Sequence, residues 1–286
     1  MKKRKKIMVI LICAAVVILV AIIWFCIPYS PLIADFEKDV NEMTDEGVLF
    51  GETDVFRESD LEGLPTAIRR YIEKCGYLGQ RKMNLVRMEY RDVAFSQGKN
   101  GPKLTIDYTQ YDFVKTPARL AMIKSSMFGI PFQGYDYYRV GKGGMKGVIA
   151  KLITLFDQTG DEMDKACLVT FLAESMFAPS ALLQDYVEFE EIDDKTVKAT
   201  ITAYGQTVSG VFSFNEEYEM ISFTTNDRAV VGSDGSVEYV PWSALCGEYK
   251  VGENGIKCPT KFQAVWNYPD GDFVYFDGTI NSVEYK

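Results

Sequence analysis

The chain has 286 residues, with 31 Lys plus Arg against 40 Asp plus Glu, a net charge of −9 and no histidine. The missing imidazole excludes Ser-His-Asp and Cys-His catalysis and every zinc site with imidazole ligands. The acidic balance opposes nucleic acid, whose phosphates are held through Lys and Arg, so no nucleic-acid partner is expected.

The first six residues read MKKRKK, and Ile7 to Ile27 carry no charge. About twenty apolar residues suffice to cross roughly 30 Å of hydrocarbon as a helix. Lysine-rich flanks stay on the cytoplasmic side. The pattern predicts a cytoplasmic basic tail over 1–6, a transmembrane helix over 7–27 and an extracytoplasmic remainder on the cell membrane. No A-x-A site follows the apolar run, and neither Cys13 nor Cys26 follows a small residue. An uncleaved anchor is therefore expected, with the Trp24 indole at the outer interface.

Residues 28–63 hold eleven acids against Lys38 and Arg57. They are expected to form an acidic stalk or linker, with a helix capped by Ser30-Pro31 and closed by Gly47. A second helix starts at Leu64-Pro65, repeats Ile68, Tyr71, Ile72 and Cys75 at helical spacing, and stops at Gly76.

From Met83 to about Leu155 the chain reads as strands: KLTIDYTQYDF, RLAMIKSSMF and FQGYDYYRV, broken by Gly and Pro. GKGGMKG (141–147) lacks the GxxxxGK[ST] spacing of a phosphate loop and reads as a turn or a glycine-bulged strand. DEMDKACLVTFLAESMFAPSALL then opens with acids and runs apolar on all sides from Ala166 to Ala173, Thr170 excepted. Such a helix is buried, and between two blocks of strands it implies a sheet curling around it. Glu174 at its end needs an arginine, backbone donors or a proton. After Val187 nearly everything alternates as antiparallel strands with one buried face. The expected fold is α+β: a transmembrane helix, then a strongly curved antiparallel sheet packed around one or two buried helices, with 64–286 as one domain.

Cys75, Cys167, Cys246 and Cys258 show no C-x-x-C spacing. A two-residue turn at Asn254-Gly255 would set Cys258 opposite Val251, out of register with Cys246, so reduced cysteines are expected. No metal or cofactor motif stands out, and no D-x-[DN]-x-[DN]-G calcium loop occurs.

LPTAIRRYIEKCG, GYDYYRVGKGGMKG, the long helix phrase, VEFEEIDDKTVKATI and the C-terminal PWSALCGEY…IKCPTKFQAVWNYPDGDFVYF together resemble a bacterial domain-of-unknown-function family, number 6544. The resemblance covers about three-quarters of the chain and implies no activity. The family pattern puts an arginine a few residues before Leu-Ala-Glu; Thr170 stands there, which puts an Arg–Glu pair within this helix in doubt. The organisation is also similar, at fold level, to lipoprotein-carrier sheets.

Three functional readings follow. The first is a non-catalytic binding module for an apolar ligand or lipid of the bacterial cell envelope, with Glu174, Tyr135, Tyr137, Phe171 and Trp266 as its ligand contacts. The second is a scaffold subunit of an envelope complex, with a fully packed interior, an exposed apolar patch on the outside and a protein partner. The third is a carboxylate-driven hydrolase, which needs two acids facing one another in a cleft.

Overall fold

The computed structural model describes residues 2–96, 98–99, 101–232 and 235–286. Four α-helices are present among them: α1 (Lys2–Cys26), α2 (Pro31–Glu46), α3 (Thr66–Lys74) and α4 (Asp161–Glu174). The first block of strands is β1 (Leu85–Ser96), β2 (Lys103–Phe113), β3 (Ala118–Met127), β4 (Ile130–Arg139), β5 (Lys142–Ile149) and β6 (Ile153–Thr159). The second is β7 (Val187–Asp193), β8 (Thr196–Ala203), β9 (Gln206–Phe214), β10 (Met220–Thr225), β11 (Ala229–Val231) and β12 (Val237–Tyr239). It ends with β13 (Trp242–Val251), β14 (Lys257–Tyr268) and β15 (Gly271–Tyr285).

Thirteen strands form one antiparallel sheet in the order β6-β5-β4-β3-β2-β1-β15-β14-β13-β10-β9-β8-β7, while β11 and β12 make a separate ribbon. The topology is simple. The chain meanders outward from β1 to the edge strand β6, crosses the concave face as α4, and starts again at the opposite edge, β7. It then meanders back until β15 pairs with β1, Val86 opposite Tyr285. The crossing element is the all-round apolar helix expected from the sequence, and every residue from Ala166 to Glu174 is buried. Its fit depends on glycine: a Cβ at Gly143 of β5 would lie 2.8 Å from both Cys167 Sγ and the Met163 carbonyl. The Gly143 amide instead donates to Asp164 Oδ1 at 2.7 Å. The α-helix stops at Glu174, and 3-10 turns over Ser175–Phe177 and Pro179–Leu183 carry the chain on to β7.

The sheet is covered on both faces. Inside the hollow, α3 buries Ala67, Ile68, Tyr71 and Ile72, and the Tyr71 hydroxyl donates to the Met176 carbonyl at 2.8 Å. Gly76 stops α3 at φ +81, a conformation that suits glycine. Outside, α2 lies within the expected stalk segment 28–63 and sets Leu32, Phe36 and Met43 against Leu85, Phe113, Leu120, Met122, Tyr135 and Val148. Ser30 Oγ caps it by accepting from the Ile33 amide at 3.2 Å. Full burial of three such side chains contributes roughly 1.5–3 kcal/mol each, as an upper bound. Arg139 on β4 adds ion pairs to Asp39 (2.6 Å) and Glu42 (2.8 Å).

α1 is long and apolar enough to cross a membrane, a property that membrane anchors share with signal sequences. One expectation on the sheet is corrected. Cys258 pairs with Lys250, not Val251, and Cys246 pairs with Phe262. Gly252 and Ile256 close a three-residue loop that ends on Gly255 at φ +79, one residue more than a two-residue turn. All six cysteines are free.

Candidate functional site

Between α4 and the concave face lies a cavity of about 600 Å³. Met163, Ala166, Cys167, Thr170 and Glu174 line one side, the spacing of a single helical face. Strand residues line the other side, chiefly Tyr108, Ile123, Met145, Phe262, Ala264 and Phe276. The wall is therefore mostly apolar and aromatic. The opening is framed by Lys99 and Pro102 in the β1–β2 loop, by Val230 to Gly232 on the ribbon, and by Tyr268 and Phe273 around the β14–β15 turn.

Two polar groups interrupt the apolar wall. At the floor, Arg119 of β3 is buried, with Nε donating to Glu174 Oε2 at 2.6 Å and Nη1 to Asp136 Oδ2 at 2.7 Å. Its Nη2 donates to the Tyr108 hydroxyl. Gln110 Nε2 donates to Glu174 Oε2 at 2.7 Å and to both oxygens of Asp112 at 2.8–2.9 Å. One guanidinium thus faces three acids. Burial raises the Asp112 carboxyl well above the usual carboxylate range, and the charge of Glu174 raises it further. Burial also raises Glu174, against the pull of Arg119.

The second polar group sits near the opening. Arg228 stacks with its guanidinium carbon 4.6 Å from the Trp242 ring centroid and 5.0 Å from that of Trp266. Its Nη1 donates to the Tyr275 hydroxyl at 2.9 Å and its Nε to the Ala166 carbonyl at 3.4 Å. Among the described residues no carboxylate pairs with it. These contacts tie the segment before the ribbon to both α4 and the sheet. Burial raises the Cys167 thiol to about 12, so it lines the cavity as an inert thiol. Among the described residues no group of three or more His, Cys, Asp or Glu side chains is arranged to hold a metal ion.

The five residues singled out from the sequence divide between two faces of the sheet. Glu174 and Trp266 both line the cavity. Phe171, on the next face of α4, is buried in the core against Tyr186. Tyr135 and Tyr137 lie on the outer face beside α2, where Tyr135 donates to Asp39 Oδ2 at 2.7 Å and packs edge-on to Phe36. The arginine that pairs with Glu174 comes from β3, not from within the helix, so Thr170 can occupy the helix position and donate back to the Ala166 carbonyl at 2.8 Å.

Sequence reasoning missed Arg119, Gln110, Asp112 and Arg228. A period-two reading of β2 contains Tyr108, Gln110 and Asp112 on one face, but the other face holds Tyr111 and Phe113, which α2 covers. With both faces partly buried, alternation alone could not say which was internal. Arg228 follows Asn226-Asp227 in a stretch that reads as an ordinary polar turn, and nothing local marks it.

Comparison with known proteins places the sequence but not its activity. No curated protein matches it. Among solved structures it is similar to a candidate outer membrane lipoprotein-sorting protein domain from Vibrio parahaemolyticus, at 9% identity and a TM-score of 0.41 over 78% of this chain and 92% of that one. It is also similar to a DUF1329 family protein from Desulfovibrio piger, at 11% identity and a TM-score of 0.41 over 82% of this chain and 94% of that one. A model described as a family of unknown function matches residues 54–278, which is most of the chain, and the protein belongs to that family, DUF6544.

Proposed function

We propose that this protein is a membrane-anchored, extracytoplasmic binding module that holds an apolar, lipid-like ligand in the hollow of its sheet. The observation that carries the reading is the cavity of about 600 Å³ between α4 and the sheet, lined mainly by Met, Phe, Trp, Tyr and Ala side chains. Cavities of 300–1,000 Å³ with apolar walls and a few fixed polar groups are the usual form of small-molecule sites. The scaffold reading calls for a packed interior, and a cavity of this size argues against it. The floor carboxylates are committed to Arg119 and Gln110 as acceptors, which favours a rigid base over acid/base chemistry. α1, with its lysine-rich start, supplies the anchor.

The test is uptake of an apolar fluorescent probe, N-phenylnaphthylamine, by the purified protein. Wild type is expected to take up about one equivalent. Ala264→Phe, which fills the cavity from its wall, is expected to lose uptake while keeping the far-ultraviolet circular dichroism of the wild type. Equal uptake by both proteins, or none by either, would refute the reading.

A further inference from the structure

Two neighbouring hairpin turns project large apolar side chains into solvent. Phe128, in the β3–β4 turn, is fully exposed; Leu152 in the β5–β6 turn is 67% exposed, with Ile153 at 60% and Leu155 at 50% at the start of β6. The register places these turns side by side: Met127 pairs with Ile130, Phe132 pairs with Ile149, and the Ala150 amide donates to the Pro131 carbonyl at 2.8 Å. Single exposed apolar residues are ordinary, but a contiguous group marks an interaction surface. Phe128 is notable for its backbone as well. It adopts φ +53, where a bulky residue is rare and glycine or asparagine would be at ease. Its full exposure leaves no packing within the protein to account for a phenylalanine there.

The second of these turns, β5–β6, meets the end of α1. Trp24 Nε1 donates to the Ala150 carbonyl at 3.0 Å. Lys151 is buried and donates through Nζ to the carbonyls of Trp24 (2.9 Å) and Ile27. These are carbonyls left open at the helix end, so Lys151 acts as the C-terminal cap of α1. The domain is thereby held with its apolar turns beside the outer end of the anchor, at the depth where the bilayer begins.

The cavity opens on this end too. The β1–β2 loop and the β3–β4 turn lie at the same end of neighbouring strands, where Ser125 Oγ of β3 donates to the Thr105 carbonyl of β2 at 2.6 Å. Across the opening, Lys99 ion-pairs with Asp270 of the β14–β15 turn at 2.6 Å. Gln158 of β6 reaches the Val231 carbonyl of the ribbon at 2.7 Å.

From this arrangement we infer that this end of the sheet is seated in the outer leaflet of the membrane that holds α1, with Phe128, Leu152 and Ile153 among the acyl chains and the cavity mouth turned toward lipid. The ligand then passes between leaflet and cavity without crossing water. The inference rests on the anchored binding-module reading above. Its partner is the bilayer because the apolar turns are continuous with the membrane helix.

The test uses the full chain in phosphatidylcholine–phosphatidylglycerol vesicles, with a benzophenone amino acid placed at 128, at 152 or, as the control, at 251. Val251 is 66% exposed at the β13–β14 turn, which lies at the opposite end of β14 from the cavity mouth. Photolysis is expected to give lipid adducts at 128 and 152 in at least tenfold the yield at 251. Equal yields at all three positions, or adducts to a second protein at 128 in native membranes, would overturn the seating. Replacing Phe128, Leu152 and Ile153 together by serine touches only exposed positions. It is expected to slow transfer of a fluorescent phospholipid from vesicle to cavity tenfold or more while leaving final occupancy unchanged. Probe uptake without adducts at 128 rejects the seating alone. Adducts at 128 without probe uptake reject the cavity and its exchange route.

Discussion

The two ends of the hollow share one sheet and one curvature, yet one is plugged and the other is open. At the plugged end, α3 and the turns after α4 insert Ile68, Tyr71, Ile72, Met176, Phe177 and Leu182, all essentially inaccessible. Backbone groups there are closed by the bond from Tyr71 to the Met176 carbonyl and by Ser180 Oγ, which accepts from the Met83 amide at 2.9 Å. At the open end no segment among the described residues enters, and the lining residues Met145, Met163, Val230 and Phe273 remain half-buried. Curvature alone therefore does not make a site. The helix that follows α1, α2, packs on the outer face and adds nothing to the hollow.

The Arg119 cluster sits at the boundary between these ends, and breaking it should have the largest effect. Arg119→Met leaves the buried Glu174 and the half-buried Asp136 without their cation, and removing one partner of a buried ion pair costs about 3–5 kcal/mol. Urea unfolding should show a loss of that size, and Glu174→Gln in the same chain should recover part of it. Full stability in Arg119→Met would mean that the floor does not depend on the ion pair.

A matched pair of truncations sharpens the contrast. Ile68→Ala, at the plugged end, should cost roughly 2–5 kcal/mol, as core truncations do, and leave probe affinity unchanged. Phe273→Ala, at the mouth, should cost less than about 1 kcal/mol of stability and weaken the probe about tenfold, the value of roughly 1.4 kcal/mol of lost apolar contact. Similar stability losses at both sites would erase the distinction between plug and pocket.

The smallest effect concerns pH. Asp112 has a folded pKa above its unfolded value, which lies near 3.9. Its contribution to stability is therefore complete below the unfolded pKa and is lost as pH rises through the folded one. Asp112→Asn should flatten that part of the stability profile, so that wild type loses more than the variant between pH 4 and neutrality. Parallel profiles would show that Asp112 ionises freely in the folded protein.

How much of this was legible beforehand differs by element. The all-round apolar run Ala166–Ala173 announced a buried helix because no face of it could meet water, and the curled sheet followed from the strands on either side. Ser30-Pro31 and Gly76 marked helix ends because capping and stop signals are local chemistry. The docking of α2 was not legible: its acids pointed to a solvated segment, while Leu32, Phe36 and Met43 were too few to reveal the face they cover. The Glu174 partner was hidden for a different reason, since Arg119 lies 55 residues earlier and meets it only through the topology. Tyr135 and Tyr137 were expected among the ligand contacts, but strand alternation sets them on the outer face, away from Tyr138 in the inner core.

The central claim is that the open end holds an apolar ligand, and native mass spectrometry tests it most directly. Residues 28–286 would be expressed for export, purified without detergent and weighed intact, with organic extraction of whatever is bound. A stoichiometric lipid-like adduct on wild type that Ala264→Phe lacks is the predicted result. A clean protein mass for wild type, identical in occupancy to the filled variant, would contradict the account.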